Sequence, residues 1–193
     1  MMKNYAYSVK IAAYTTALSM SACASGLKTR DYSVQSNPQE ILAGLTKRLS
    51  SDQAKQYDLI SPSQFQAAEA YLSEAQGRMD ADQSFERVLE DANVAALRLQ
   101  TVEENAAAHV QELRAVISAR EAAVAVNAQQ VRAEEFVAAD KEFRDLGHEI
   151  EQNDFRSGSD SISDLEEKYS NLVTEIQLSS EHPNLNNLQV QNE

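Results

Sequence analysis

Apolar residues fall into four runs whose steps alternate between three and four. The first two are Phe65, Ala68, Leu72, Ala75, Met79 and Phe85, Val88, Ala92, Ala95, Leu99. The other two are Phe136, Ala139, Phe143, Leu146, Ile150 and Ile162, Leu165, Tyr169, Leu172, Ile176. That spacing draws one stripe along a helix and holds it against a neighbouring helix, while polar residues fill the remaining faces. The pattern predicts two helical hairpins and an all-α fold.

Start signals place the helices more closely. Asn37-Pro38-Gln39-Glu40 offers a cap, a proline for the first helical position and a glutamate to close a capping box; Leu42, Leu45 and Leu49 follow, and this helix should fade around Lys55–Tyr57. Ile60-Ser61-Pro62-Ser63-Gln64-Phe65 predicts a second helix capped by Ser61, boxed by Gln64 and stapled by Ile60 against Phe65. Asp80–Ser84 turns the chain into the third.

Ser84 to Asn127 then runs 44 residues without glycine or proline. Its stripe continues through Val102, Ala106, Val110, Leu113 and Ile117, with two successive steps of four at Ala106–Val110. Such a stutter rotates the stripe. The expectation is one unbroken spine about 66 Å long.

The order of elements repeats. Gln39–Arg48 aligns with Gln111–Arg120 at four identical positions, and the Phe65 seam returns at Phe136, 71 residues on. The reading is an elongated antiparallel helical bundle of two tandem three-helix units, 38–104 and 105–179, sharing one long central helix. Two unrelated amphipathic hairpins are the alternative. The second copy is less well signalled: Arg132-Ala133 replaces the Ser-Pro start, and Gly147 sits inside a helix at a cost of about 1 kcal/mol. Its hairpin is therefore expected to open first. Residues 180–193, with Pro183, read as a disordered tail.

Composition narrows the partners. Tryptophan is absent, and the formal charge is −13. Acidic surfaces repel nucleic acid phosphates, so no nucleic acid partner is expected. The single cysteine excludes an intrachain disulfide framework.

That cysteine ends an export-like segment. Lys3 and Lys10 precede a short apolar stretch, Ile11–Met20, too short to stop in a membrane. Leu18-Ser-Met-Ser-Ala-Cys23 resembles the lipobox of bacterial lipoproteins, with Met20 in place of the usual leucine. The resemblance implies a signal peptide over 1–22, cleavage between Ala22 and Cys23, and acylation of Cys23, palmitate among the chains. Ala24 rather than aspartate after it implies sorting to the outer membrane. A plain secretory signal leaving Cys23 free is the alternative. Cleavage would remove two lysines and no acid, so the remaining chain carries 15 basic and 30 acidic residues, a charge of −15. Residues 23–37 read as a lipidated tether, its fourteen residues after the cysteine reaching at most about 46–50 Å.

Chemical constellations are not evident. His109, His148 and His182 lack a second histidine at ligand spacing, and Asp145-Leu-Gly-His148 is one imperfect copy of a motif that di-iron bundles need twice. Asp80-Ala-Asp-Gln-Ser84 lacks the glycine and terminal glutamate of a calcium loop. No phosphate-cradling glycine loop or nucleophile elbow occurs. Catalytic, metal and cofactor-binding residues are all expected to be none, and the protein is not expected to be an enzyme.

With the lipobox in place, Ser61-Pro-Ser-Gln-Phe65 leading into Ala67-Ala-Glu69, and Glu135-Phe-Val-Ala-Ala-Asp140, resemble the Ala/Glu-rich helical region of proteobacterial envelope lipoproteins. There it often precedes an OmpA-like peptidoglycan-binding domain. No such domain follows within residues 1–193, so peptidoglycan binding is not carried over. The resemblance implies a lipid-anchored protein on the periplasmic face of the outer membrane, with a structural or adaptor role and a protein partner in the envelope, for which an OmpA-like protein is one candidate. The alternative is a periplasmic helical module binding a lipid or small apolar ligand. Alanine-rich seams speak against that, because small residues draw helices together.

Overall fold

The computed structural model describes residues 37–156 and 160–181. Every regular element among them is a helix: α1 (Pro38–Ala54), α2 (Tyr57–Ile60), α3 (Pro62–Asp80), α4 (Phe85–His109), α5 (Arg114–Ala125), α6 (Ala128–Val131), α7 (Ala133–Glu151) and α8 (Asp160–Glu181). The expected signal segment, Cys23 and all of the expected tether but Asn37 lie outside the described residues. So does the expected tail after residue 181; its first two residues belong to α8.

The four seams are the buried faces. Phe65, Ala68, Leu72 and Ala75 on α3 are buried, as are Val88, Ala92, Ala95 and Leu99 on α4. The alanines let the two helices approach closely. Arg78 pairs with Asp91, and Gln64 accepts from Arg98 at 2.8 Å, so α3 and α4 run antiparallel. In the same way Tyr169 bonds Asp140 and Arg132 pairs with Glu175, setting α8 antiparallel to α7. Ile41, Leu42 and Leu45 of α1 complete a core with α3 and α4. A second core joins α5, α7 and α8.

The expected spine is broken. α4 stops at His109 and α5 starts at Arg114, with the amides of Glu112 and Leu113 both turning back to the His109 carbonyl. The break falls at the stutter. Ala106 and Leu113 lie on either side of it, and both are buried in the second core. His109 then packs edge-on against Phe155, centroids 5.0 Å apart.

The short helix α2 was not expected. It links the halves: Leu59 and Ile60, from the first half of the chain, are buried in the second core.

Backbone geometry recurs along the chain. Left-handed residues stand at Gln56 and Asp82 and again at Asn127 and Asn153, each 71 positions later. Ser61 (φ −137°, ψ 65°) and Arg132 (φ −130°, ψ 54°) match, as do the lengths of α3 and α7, 19 residues each. The same register pairs buried Leu42 with Leu113 and Leu45 with Val116. This corrects the alignment of Gln39 with Gln111, which is one residue out. A one-residue slip turns a helix by about 100°, enough to pair buried with exposed positions.

Candidate functional site

Ala22 and Cys23, the sequence-derived cleavage and lipidation residues, lie outside the described residues. What the structure assembles from polar side chains is a joint between the two halves.

Glu151, at the end of α7, lies against the start of α3. Its carboxylate accepts from Ser61 Oγ (2.9 Å), the Gln64 amide (2.9 Å) and the Ser63 amide (3.2 Å). It therefore caps α3 from another helix. The cap expected from Ser61 itself is not made: Ser61 Oγ donates to Glu151 and accepts from Asn105 Nδ2. Nor does Gln64 close a box, because its side chain accepts from Arg98. At α1, in contrast, Asn37 Oδ1 accepts from the Gln39 amide as expected, at 3.0 Å. Burial alone would raise the Glu151 pKa; the bonds from Gln64, Ser63 and Ser61 outweigh it and hold the group below its ordinary value. His148 Nδ1 lies 3.2 Å from Ser63 Oγ and 3.3 Å from Glu151 Oε2.

One turn earlier, Gly147 lets α7 press against α2. A Cβ there would lie 2.1 Å from the Leu59 carbonyl oxygen and 2.8 Å from Pro62 Cδ. The glycine that looked like a weak point is the residue that permits the crossing.

A second cluster stands beside the joint. Arg120 holds Asp140 through both carboxylate oxygens, at 2.7 and 2.8 Å, and Tyr169 donates to the same Asp140 at 2.6 Å. Gln56 bridges from the αL corner, accepting from Arg120 and donating to Glu121. Burial, then the bond to Asp140, push the Tyr169 hydroxyl well above its ordinary range. Arg120 also covers the Phe136 ring at 5.3 Å. Such a closed bidentate network fixes register and leaves no group poised for proton transfer.

Hollows open between helices on the surface of the described residues. A cleft of about 230 Å³ between α7 and α8 is lined by Glu142, Asp145, Glu149 and Asp164, with Lys168 paired to Glu142. An open groove of about 500 Å³ runs between α1 and α3, past Leu49, Glu69, Leu72, Gln76 and Asp80. Among the described residues no group of three or more His, Cys, Asp or Glu is placed to hold a metal, and no helix is long and apolar enough to cross a membrane.

Sequence reasoning missed Glu151, Gly147 and the Arg120–Asp140–Tyr169 network. Only Gly147 left a signal, as a glycine inside a helical pattern. No protein-family model, characterised protein or solved structure matches the chain.

Proposed function

We propose that the protein is a non-enzymatic helical lipoprotein, anchored through a lipid on Cys23 to the outer membrane and facing the periplasm, with a structural or adaptor role. The observation that carries this reading is the string Leu18-Ser-Met-Ser-Ala-Cys23 behind a short basic and apolar segment. A thioether-linked lipid is a use for a lone cysteine, and each buried CH₂ of an acyl chain contributes about 0.8 kcal/mol to anchoring. The polar networks of the joint support a scaffold role, since their groups are spent on one another. The helical body is two tandem copies of a three-helix unit, a reading supported by the recurring backbone angles. Its partner is a protein of the envelope, an OmpA-like protein being one candidate.

The test is metabolic labelling with an alkyne fatty acid in a proteobacterial host, followed by membrane fractionation. The native chain should be labelled and sediment with outer membranes. Cys23→Ala should be unlabelled and released; a Cys23→Ala protein still bound to membranes would overturn the reading.

A further inference from the structure

In the second half of the molecule the α2 corner sits on α5 and α7: Gln56 on Arg120 of α5, Leu59 on Gly147 and Ser61 on Glu151 of α7. Shifting back by the 71-residue interval of the left-handed positions, Arg120, Asp140, Phe143, Gly147 and Glu151 become Leu49, Glu69, Leu72, Gln76 and Asp80. Those residues line the open groove between α1 and α3. Among the described residues the groove is the same seat, without a corner in it.

The matching corner is also without a seat. Moving Ile60 forward by the same 71 residues gives Val131 at the end of α6. Ile60 is 0% exposed, whereas Val131 is 57% exposed. We propose that the α6 corner of one copy docks into the α1–α3 groove of a second copy, in a head-to-tail contact.

The charges fit this occupant. In the filled seat, Asp58 lies in the field of Arg120 and Arg144. In the open seat these cations are replaced by Leu49 and Ser73, and on the free corner the acid is replaced by Gln129. The acid on the corner and the two cations of the seat are lost together, while Glu69 keeps the carboxylate of Asp140. At the other end, Ser61 facing Glu151 becomes Arg132 facing Asp80, so a hydrogen bond becomes an ion pair. Arg132 is held by Glu135 and Glu175, and its side chain stays 38% exposed. Gln76 replaces Gly147, so the corner cannot approach as closely; the exposed Gln76 amide can instead donate to the Gln130 carbonyl, the counterpart of the Leu59 carbonyl.

Corner and seat are different surfaces, so the contact is heterologous and each added copy leaves one of each free. Open chains or a ring follow. The corner is small, so a single contact should be weaker than a standard interface. The contact depends on the recurrence and not on the lipid anchor, so the two proposals fail separately.

Single-cysteine chains provide the test, in the full chain with Cys23→Ser. Val131→Cys mixed with Gln76→Cys and oxidised mildly should give a disulfide heterodimer, several-fold above Leu97→Cys mixed with Gln76→Cys. One chain carrying both Val131→Cys and Gln76→Cys should give a ladder of dimers, trimers and higher forms. Arg132→Asp should suppress the ladder, and adding Asp80→Arg should restore it. Within one copy Arg132 pairs with Glu135 and Glu175 and Asp80 accepts from Gln76, so the two residues share no partner there. Circular dichroism would establish that each variant is folded. A heterodimer yield equal to the Leu97 control, or Val131–Val131 dimers predominating, would overturn the proposal. So would a ladder indifferent to Arg132→Asp.

Discussion

Glu151 shows how one side chain can do a task that the local sequence assigns elsewhere. Ser61-Pro62 has the form of a self-capped helix start, yet the α3 amides are capped by a carboxylate nearly ninety positions later. A carboxylate accepts more strongly than a hydroxyl, and the N-terminus of α3 adds a favourable field. Because the bonds depress its pKa, the stabilisation is complete above the unfolded value near 4.5 and is lost as pH falls through the lower folded value. Glu151→Gln should therefore cost about 1–3 kcal/mol at neutral pH and flatten the acid limb of the stability profile. Urea denaturation across a pH series measures both; an unchanged acid limb would show that Glu151 is not the group that titrates. Asp52 behaves oppositely. It is buried with one oxygen unpartnered, and burial together with Glu103 raises its pKa, so its charge is a strain on the fold at neutral pH.

At the scale of elements, helix faces and several helix starts were legible, while the end of α4 and the capping partner of α3 were not. All of the Phe136 seam is buried, because periodicity over about four turns outweighs any single residue. Ends depend on what the neighbouring element offers. The expectation that the α7–α8 hairpin opens first rested partly on Gly147, and that residue now has a packing role. Gly147→Ala should destabilise by about 1–3 kcal/mol, since the added methyl meets the backbone of Leu59 and cannot be relieved by a rotamer change. Gly44→Ala, also within a helix but with nothing within 4 Å, should instead stabilise by about 0.5–1 kcal/mol. Thermal melts of the two variants give opposite signs; two shifts in the same direction would contradict the crossing of α7 on α2.

For the whole molecule, α2 decides how the halves behave. Ile60 is a first-half residue in the second core. Ile60→Ala should cost about 2–5 kcal/mol. Native-state amide exchange should lose protection in α5 and α7 before α1. Loss confined to α1 and α3 would mean that the cores do not share this residue energetically.

The sequence by itself determined the helical class, most of the buried faces and the turns near residues 55–57 and 80–84, because these depend on side-chain periodicity and turn residues within a few helical turns. It also carries the string Leu18–Cys23, on which the proposed lipid anchor rests and which needs no fold to be read. The tertiary structure alone decided the break between α4 and α5, the cap supplied by Glu151, the network around Asp140 and the role of Gly147. No glycine or proline marks the break, which falls between Ala106 and Leu113, both buried in a core that residues 59 and 60 also enter. Contacts between residues far apart in the chain set these features, and a local pattern cannot encode which distant neighbour will arrive.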